Sequence, residues 1–212
     1  MRPLTDATPK SLLPAGGKPV VAWLIERLAG AGFRELVLNH AQLGWMIEAV
    51  LGDGERFGVR IRYSHEPEAL ETAGGIANAM PLLGEAPFLA VNGDLYTDFP
   101  FERARAALDD DALAHLVLVD NPPHHPGGDF ALSDRRVANA GAPMLTFSGI
   151  GVYRPALFAG IARGTRAQLA PLLREAAASG RVTGERFRGR WLDIGTPERL
   201  AALDAELKAS RA

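Results

Sequence analysis

The sequence predicts one α/β domain, a largely parallel sheet with helices on both faces in three layers. Three observations predict it. Helical and strand-like periodicities alternate along the 212 residues. The strand-like runs are short and apolar, with one helix between most neighbours, and such crossovers make neighbouring strands parallel. No stretch rich in Pro, Gly or Ser is long enough to divide the chain, and no internal repeat is visible, so residues 1–212 read as a single domain.

Residues 18–30 carry Val20, Val21, Leu24, Ile25 and Leu28 at helical spacing, stopped at residues 30–32 by Gly30 and Gly32. Residues 34–39 form a short apolar strand. Residues 42–51 are helical, with Trp45 or Met46, Ala49 and Val50 on the expected buried side. Residues 59–63 alternate Val, Arg, Ile, Arg, Tyr, a half-exposed strand. Then come a helix at 75–83 and the apolar strand 87–92, which runs into Gly93 and Asp94. A helix at 101–108, a buried strand at 114–119 and an extended stretch at 145–153 follow. The chain ends in a helix at 169–179, a strand at 181–187 and a helix at 197–208. Thr196 is the expected N-cap of that last helix and Pro197 its first residue. The one compositional break, Asn121-Pro122-Pro123-His124-His125-Pro126-Gly127-Gly128, reads as a functional loop.

Composition narrows the function classes. Net charge is −2 and the pI about 6.2, which gives no electrostatic reason to expect nucleic acid or an anionic membrane as partner. With no cysteine, disulfides and thiolate metal sites are excluded, in keeping with a reducing compartment. The polar, proline-containing first ten residues are not a signal peptide, and no apolar run approaches the roughly 20 residues that cross a bilayer. A cytoplasmic location is the expectation.

Four segments carry candidate chemistry. In open α/β sheets ligands bind outside the carboxyl ends of strands. Val91-Asn92-Gly93-Asp94 is such an end, and Asp94 there suits Mg²⁺, which takes few carboxylates plus phosphate oxygens; a plain Asn-Gly-Asp turn is the alternative. Asp193, in Arg190-Trp191-Leu192-Asp193-Ile194-Gly195-Thr196-Pro197, sits among apolar neighbours, where an acid needs a partner or a metal. Lys10, in Thr8-Pro9-Lys10-Ser11, lies in an extended, proline-bounded segment and is either a solvated surface charge or a group that neutralises phosphate charge. Leu70-Glu71-Thr72-Ala73-Gly74-Gly75 opens a helix whose backbone N–H groups suit a planar base or a phosphate. His124 and His125 lack the further ligands of a zinc site.

These stretches, in this order and across the whole chain, resemble the nucleotidyltransferases that make nucleotide-diphosphate sugars. Within that family, Leu-Glu-Thr-Ala-Gly-Gly, residues 119–130 and Leu145-Thr146-Phe147-Ser148-Gly149-Ile150 look most like the members that transfer UMP to N-acetylmuramate 1-phosphate in bacterial peptidoglycan recycling. The resemblance implies a Rossmann-like three-layer fold and small-molecule substrates, a nucleoside triphosphate and a sugar 1-phosphate. It implies that Lys10 meets the α-phosphate and that Asp94 and Asp193 hold Mg²⁺. Glu71, Thr72, Ala73 and Gly74 would line the nucleobase, Asn92 and Asp129 the sugar phosphate, and Ser148 and Gly149 the sugar. A sugar-phosphate oxygen would attack the α-phosphorus directly, so no nucleophilic Ser or Cys is needed.

One departure stands against these agreements. The family opens with an apolar strand, a Gly-rich loop and an Arg before the Met1-Arg2-Pro3-Leu4-Thr5 stretch, and this sequence begins at that Met. A start assigned too late and a shortened paralogue both account for it. A sheet lacking its first strand should expose edges, lower stability or drive self-association. The rival readings are a mannose, glucose or heptose 1-phosphate nucleotidyltransferase using another base, and a non-catalytic nucleotide-sugar binding paralogue.

Overall fold

A computed structural model describes Met1 and residues 3–210. Its elements are β1 Pro14–Ala15, β2 Lys18–Pro19, α1 Val20–Gly30, β3 Glu35–His40, α2 Gly44–Leu51, β4 Arg60–His65, α3 Glu71–Leu83, β5 Phe88–Val91 and β6 Leu95–Thr97. They continue with β7 Ala114–Val119, β8 Phe130–Ser133, β9 Arg136–Ala138, β10 Met144–Tyr153, α4 Leu169–Ala178, β11 Val182–Arg186, β12 Trp191–Asp193 and α5 Pro197–Ala209. The chain falls into two compact units, each discontinuous in sequence.

The first unit comprises Met1–Glu68, Asn92–Asp98 and Arg190–Ala212. α1 serves two apolar clusters because its buried residues spread over more than one face. Val21, Ile25 and Ala29 join Leu12, Leu51, Val59 and Ile61, while Val20 joins Leu13, Ala15, Ile194, Leu200, Leu203 and Leu207. Leu200, Leu203 and Leu207 are the inward stripe of α5, at the i, i+3, i+7 spacing of one helix face. The expected cap of α5 is present: Thr196 Oγ1 accepts from Arg199 N at 3.3 Å, with Pro197 in the first turn. β3 and β4 pair in parallel from Glu35↔Arg60 to His40↔His65.

α2 turns inward Met46 of the two alternatives its periodicity offered, but not Ala49 or Val50, which are exposed. Trp45 is 69% exposed and Val50 38%, while Gly44 and Leu51 are buried and Met46 and Ile47 pack on the first cluster. The reason lies at the helix entry. Leu43 takes a left-handed φ of 60°, and Gly44 seats against His40 so closely that a Cβ would fall 1.8 Å from Nδ1. Positions 44, 47 and 51 therefore face inward.

The second unit comprises Ala69–Val91 and Phe99–Gly189. Its six-stranded sheet has the order β5-β10-β7-β11-β9-β8, with β8 also pairing β10. The largely parallel sheet expected from the sequence is corrected here: only β7 and β11 run parallel, and the other pairs are antiparallel. The stretch after β7 holds a β8–β9 hairpin instead of a crossover helix, so β10 returns antiparallel between β5 and β7. Leu116, Leu118, Val137, Tyr153, Leu173 and Val182 lie at the centre of one core beneath α3 and α4. Burial there holds the Tyr153 phenol far above its ordinary pKa. β5 is one edge of the sheet, and all four of its apolar residues are only half-buried.

Candidate active site

In the first unit a short antiparallel ribbon brings the two expected aspartates together. β6 and β12 pair as Trp191↔Thr97, Leu192↔Tyr96 and Asp193↔Leu95. Ile194 N then donates to Asp94 O at 3.0 Å, which carries the ladder one step further. Asp94 and Asp193 thus lie one register step apart although 99 positions separate them. Leu95 and Ile194, 2% and 0% exposed, anchor the two strands beside them.

Each carboxylate has its own cation. Lys10 Nζ donates to Asp94 Oδ2. Lys10 opens a 3-10 turn, Lys10–Leu12, where the sequence suggested an extended segment. Leu12 N bonds to Pro9 O at 2.9 Å, Leu13 N bonds to Lys10 O at 3.2 Å, and the buried side chains of Leu12 and Leu13 fix the turn from below. At Asp193, Oδ1 accepts from Gly195 N at 3.1 Å and from the Arg199 guanidinium. Asn92 is exposed at the start of the turn, its carbonyl accepting from Leu95 N at 3.3 Å. Gly93 is not demanded by packing within the protein, since an added Cβ would meet only Ser11 Cβ, at 3.8 Å.

Among the described residues no three His, Cys, Asp or Glu side chains gather into a metal cage. Two partly exposed carboxylates from adjacent strands remain. Such a hard, incomplete donor set fits Mg²⁺, which keeps its waters and takes phosphate oxygens as its other ligands.

In the second unit the start of α3 is held by a strap from residues 165–167. Gly74 N donates to Ala167 O at 3.0 Å and Ala167 N to Leu70 O at 2.9 Å. A Cβ on Gly74 would sit 2.3 Å from Thr165 O, so the missing side chain serves the strap, and Ala73 is fully buried beside it. Glu71 and Thr72 are left exposed. Glu71 has a left-handed φ of 62°, a strained conformation for this residue, and its carboxylate accepts from Arg166 at 2.6 Å.

The 121–128 loop is pinned by Asn121, which donates to Pro126 O and Met144 O at 2.9 and 3.1 Å and accepts from Thr146 Oγ1 at 2.9 Å. Asp129 follows it. One carboxylate oxygen accepts from Phe147 N at 2.8 Å and the other meets His125 Nε2 at 3.1 Å. Ser148 and Gly149 form a bulge in β10 between Phe147 and Ile150, with Gly149 at φ 78°. The Ser148 hydroxyl is buried and donates to Val117 O at 2.7 Å.

Lys10, Asp94, Asp193 and Asn92 therefore belong to the first unit, and Glu71 to Gly74, Asp129, Ser148 and Gly149 to the second. Sequence reasoning passed over Arg199 and Arg166. Arg199 had one signal, a cation in the first turn of a helix, where acids are favoured. Arg166 had none. Arg2, part of the opening motif, lies outside the described residues.

This chain belongs to the nucleotidyl transferase family, whose model matches residues 1–131, and specifically to its sugar-1-phosphate nucleotidyltransferases, which act on a nucleoside triphosphate and a sugar phosphate. Over 212 aligned residues it is 53% identical to the N-acetylmuramate alpha-1-phosphate uridylyltransferase of Neisseria meningitidis serogroup B, covering 97% of this chain and 92% of that protein. The Caulobacter vibrioides protein of the same name is 34% identical over 226 residues, 98% of this chain and 91% of its own. Among solved structures, a Bacillus anthracis protein assigned as a glucose-1-phosphate thymidylyltransferase superposes with a TM-score of 0.85 over 98% of this chain and 90% of its own. At 18% identity that match shows the Rossmann-like nucleotidyltransferase fold alone. No helix among the described residues is long and apolar enough to cross a membrane.

Proposed function

We propose that this enzyme transfers UMP from UTP to N-acetylmuramate 1-phosphate, giving UDP-N-acetylmuramate and pyrophosphate, in the cytoplasmic recycling of peptidoglycan. The observation that carries this reading is 53% identity to a uridylyltransferase of that specificity over nearly the whole of both chains. Residues 1–212 serve as one nucleotidyltransferase domain.

Asp94 and Asp193 are the residues that would hold Mg²⁺, which when bound neutralises phosphate charge and orients the triphosphate. Lys10, anchored by its turn and directed to Asp94, supplies a fixed cation for the α-phosphate as charge develops there. Glu71 and Thr72 present the exposed groups for the nucleobase, and Ala73 with Gly74 form the packed floor behind them. Asn92 and Asp129 receive the sugar phosphate. Asp129 is held for this by Phe147 N–H, and the Ser148–Gly149 bulge shapes the wall for the sugar. The attacking oxygen is already ionised at neutral pH, so no general base is required.

The test is Mg²⁺-dependent pyrophosphate release from UTP and N-acetylmuramate 1-phosphate, with the four common nucleoside triphosphates and with mannose, glucose and heptose 1-phosphates as alternatives. Asp94→Asn, Asp193→Asn and Lys10→Met should each lower kcat by about a hundredfold or more with the fold intact. Turnover with another sugar phosphate but not this one would reassign the substrate. Nucleotide-sugar binding without turnover of any pair would favour the non-catalytic reading.

A further inference from the structure

We infer that Arg199 is an internal counter-ion that occupies Asp193 until a divalent cation displaces it, and so sets the affinity of the site for metal. The inference rests on the reading of Asp193 as a metal ligand.

The local structure is built around this ion pair. Arg199 stands in the first turn of α5, where its charge opposes the positive end of the helix dipole. Its backbone N–H is used by the Thr196 cap, and its side chain reaches back over the turn to Asp193 Oδ1. Gly195 makes the room. A Cβ there would lie 2.3 Å from Arg199 Nη2 and 3.0 Å from Asp193 Oδ1, so any other residue would force the guanidinium to shift from its present seat on the carboxylate. Both partners are partly accessible, at 23% and 33% side-chain exposure, so a hydrated cation has a route to the pair.

A guanidinium and a divalent cation draw on the same carboxylate lone pairs. Lys10 is paired with Asp94 as Arg199 is with Asp193, so each of the two aspartates carries an ion pair with a basic side chain. Metal binding at these aspartates is then an exchange of cations. Lys10 is assigned to the phosphate and has a role after exchange. Arg199 is a positioning residue whose effect reaches the metal through Asp193.

The experiment is Mn²⁺ binding to the full chain without substrates, followed by electron paramagnetic resonance of the free ion, with circular dichroism and thermal melting to confirm folding. Arg199→Met keeps the apolar stem and removes the charge, and should tighten Mn²⁺ binding by about tenfold or more. Arg199→Lys keeps the charge and should stay within about threefold of wild type. Asp193→Asn should weaken binding by about tenfold or more. Unchanged or weaker binding in folded Arg199→Met, while Asp193→Asn still loses affinity, overturns the inference and leaves the metal site standing. Unchanged binding in Asp193→Asn removes Asp193 as a ligand, and the role of Arg199 falls with it.

Discussion

Gly74→Ala would probe the strap that holds the start of α3. In an unobstructed helix the change favours folding by about 1 kcal/mol, because alanine loses less backbone freedom than glycine. Here the new Cβ would meet Thr165 O at 2.3 Å, Ala167 N at 2.9 Å and Leu70 Cβ at 3.1 Å. Two of these are backbone atoms that cannot rotate away, so residues 165–167 must retreat by about 1 Å to restore ordinary contact. Overpacking of this kind costs about 1–3 kcal/mol. The retreat also stretches the Gly74–Ala167 and Ala167–Leu70 hydrogen bonds, about 1 kcal/mol each. The net expectation is a loss of about 3 kcal/mol, which with m near 2–3 kcal/mol/M lowers the urea midpoint by about 1 M. Tryptic cleavage after Arg163 and Arg166 should accelerate in parallel, and KM for UTP should rise as Glu71 loses its Arg166 partner. Gly30→Ala is the internal control: its Cβ would meet nothing within 4 Å, so it should be neutral or mildly stabilising. Gly74→Ala as stable as wild type would refute the steric reasoning.

Three further outcomes follow from other parts of the molecule. Glu185 is held below its ordinary pKa of 4.5 by the imidazole of His115, 3.7 Å from Oε1, and then by Arg103, 2.7 Å from Oε2, against burial acting the other way. A depressed folded pKa stabilises fully above 4.5 and is lost as pH falls through the folded value, so Glu185→Gln should flatten the decline of Tm below pH 4.5; an unchanged acid limb would exclude this group as its source. Gly16→Ala should cost about 2–4 kcal/mol, since φ is 59° and the Cβ would lie 2.6 Å from Leu207 Cβ, whereas Gly93→Ala should stay within about 0.5 kcal/mol of wild type in chemical denaturation. Asn121→Ala removes three hydrogen bonds from the 121–128 loop and should cost about 1–3 kcal/mol, with KM for the sugar phosphate rising more than kcat falls.

Local chemistry was legible where a few adjacent residues decide the outcome. Thr196 and Pro197 announce the start of α5, and the spacing from Val20 to Leu28 announces α1, because caps and helical stripes are short-range features. The β8–β9 hairpin was not legible. Its strands are four and three residues long, and its turn puts Asp134 at a φ of 52° without the Asn-Gly or Asp-Gly signal of a tight hairpin. Missing that hairpin is what made the sheet read as parallel, since a returning strand is recognised only once its connection is known. The face of α2 was legible only in part for a similar reason: the fit of Gly44 against His40 is a contact between elements, and periodicity within the helix carries no record of it.

The candidate site divides along the same line. Asp94 and Asp193 stand out as acids at apolar strand ends, yet only the β6–β12 register shows them as neighbours. Gly74 stands out in a helix opening with backbone N–H groups to offer, but only the fold shows that its own N–H goes to Ala167 O and that residues 165–167 pack where its Cβ would be. The cations are the instructive case. A lysine or arginine side chain has four or more rotatable bonds, so its position in sequence says little about which acid it will reach. What constrains the choice is what the fold makes costly. An arginine in the first turn of α5 is disfavoured by the helix dipole, and a glycine at 195 gives up backbone entropy at a position whose φ does not require it. Each residue is unfavourable alone and explained by the other, because the absent Cβ is what lets the guanidinium lie on Asp193. Replacing Gly195 by Ala should therefore reproduce the tighter Mn²⁺ binding of Arg199→Met without touching the charge. Wild-type affinity in a folded Gly195→Ala chain would show that the guanidinium reaches Asp193 by another path.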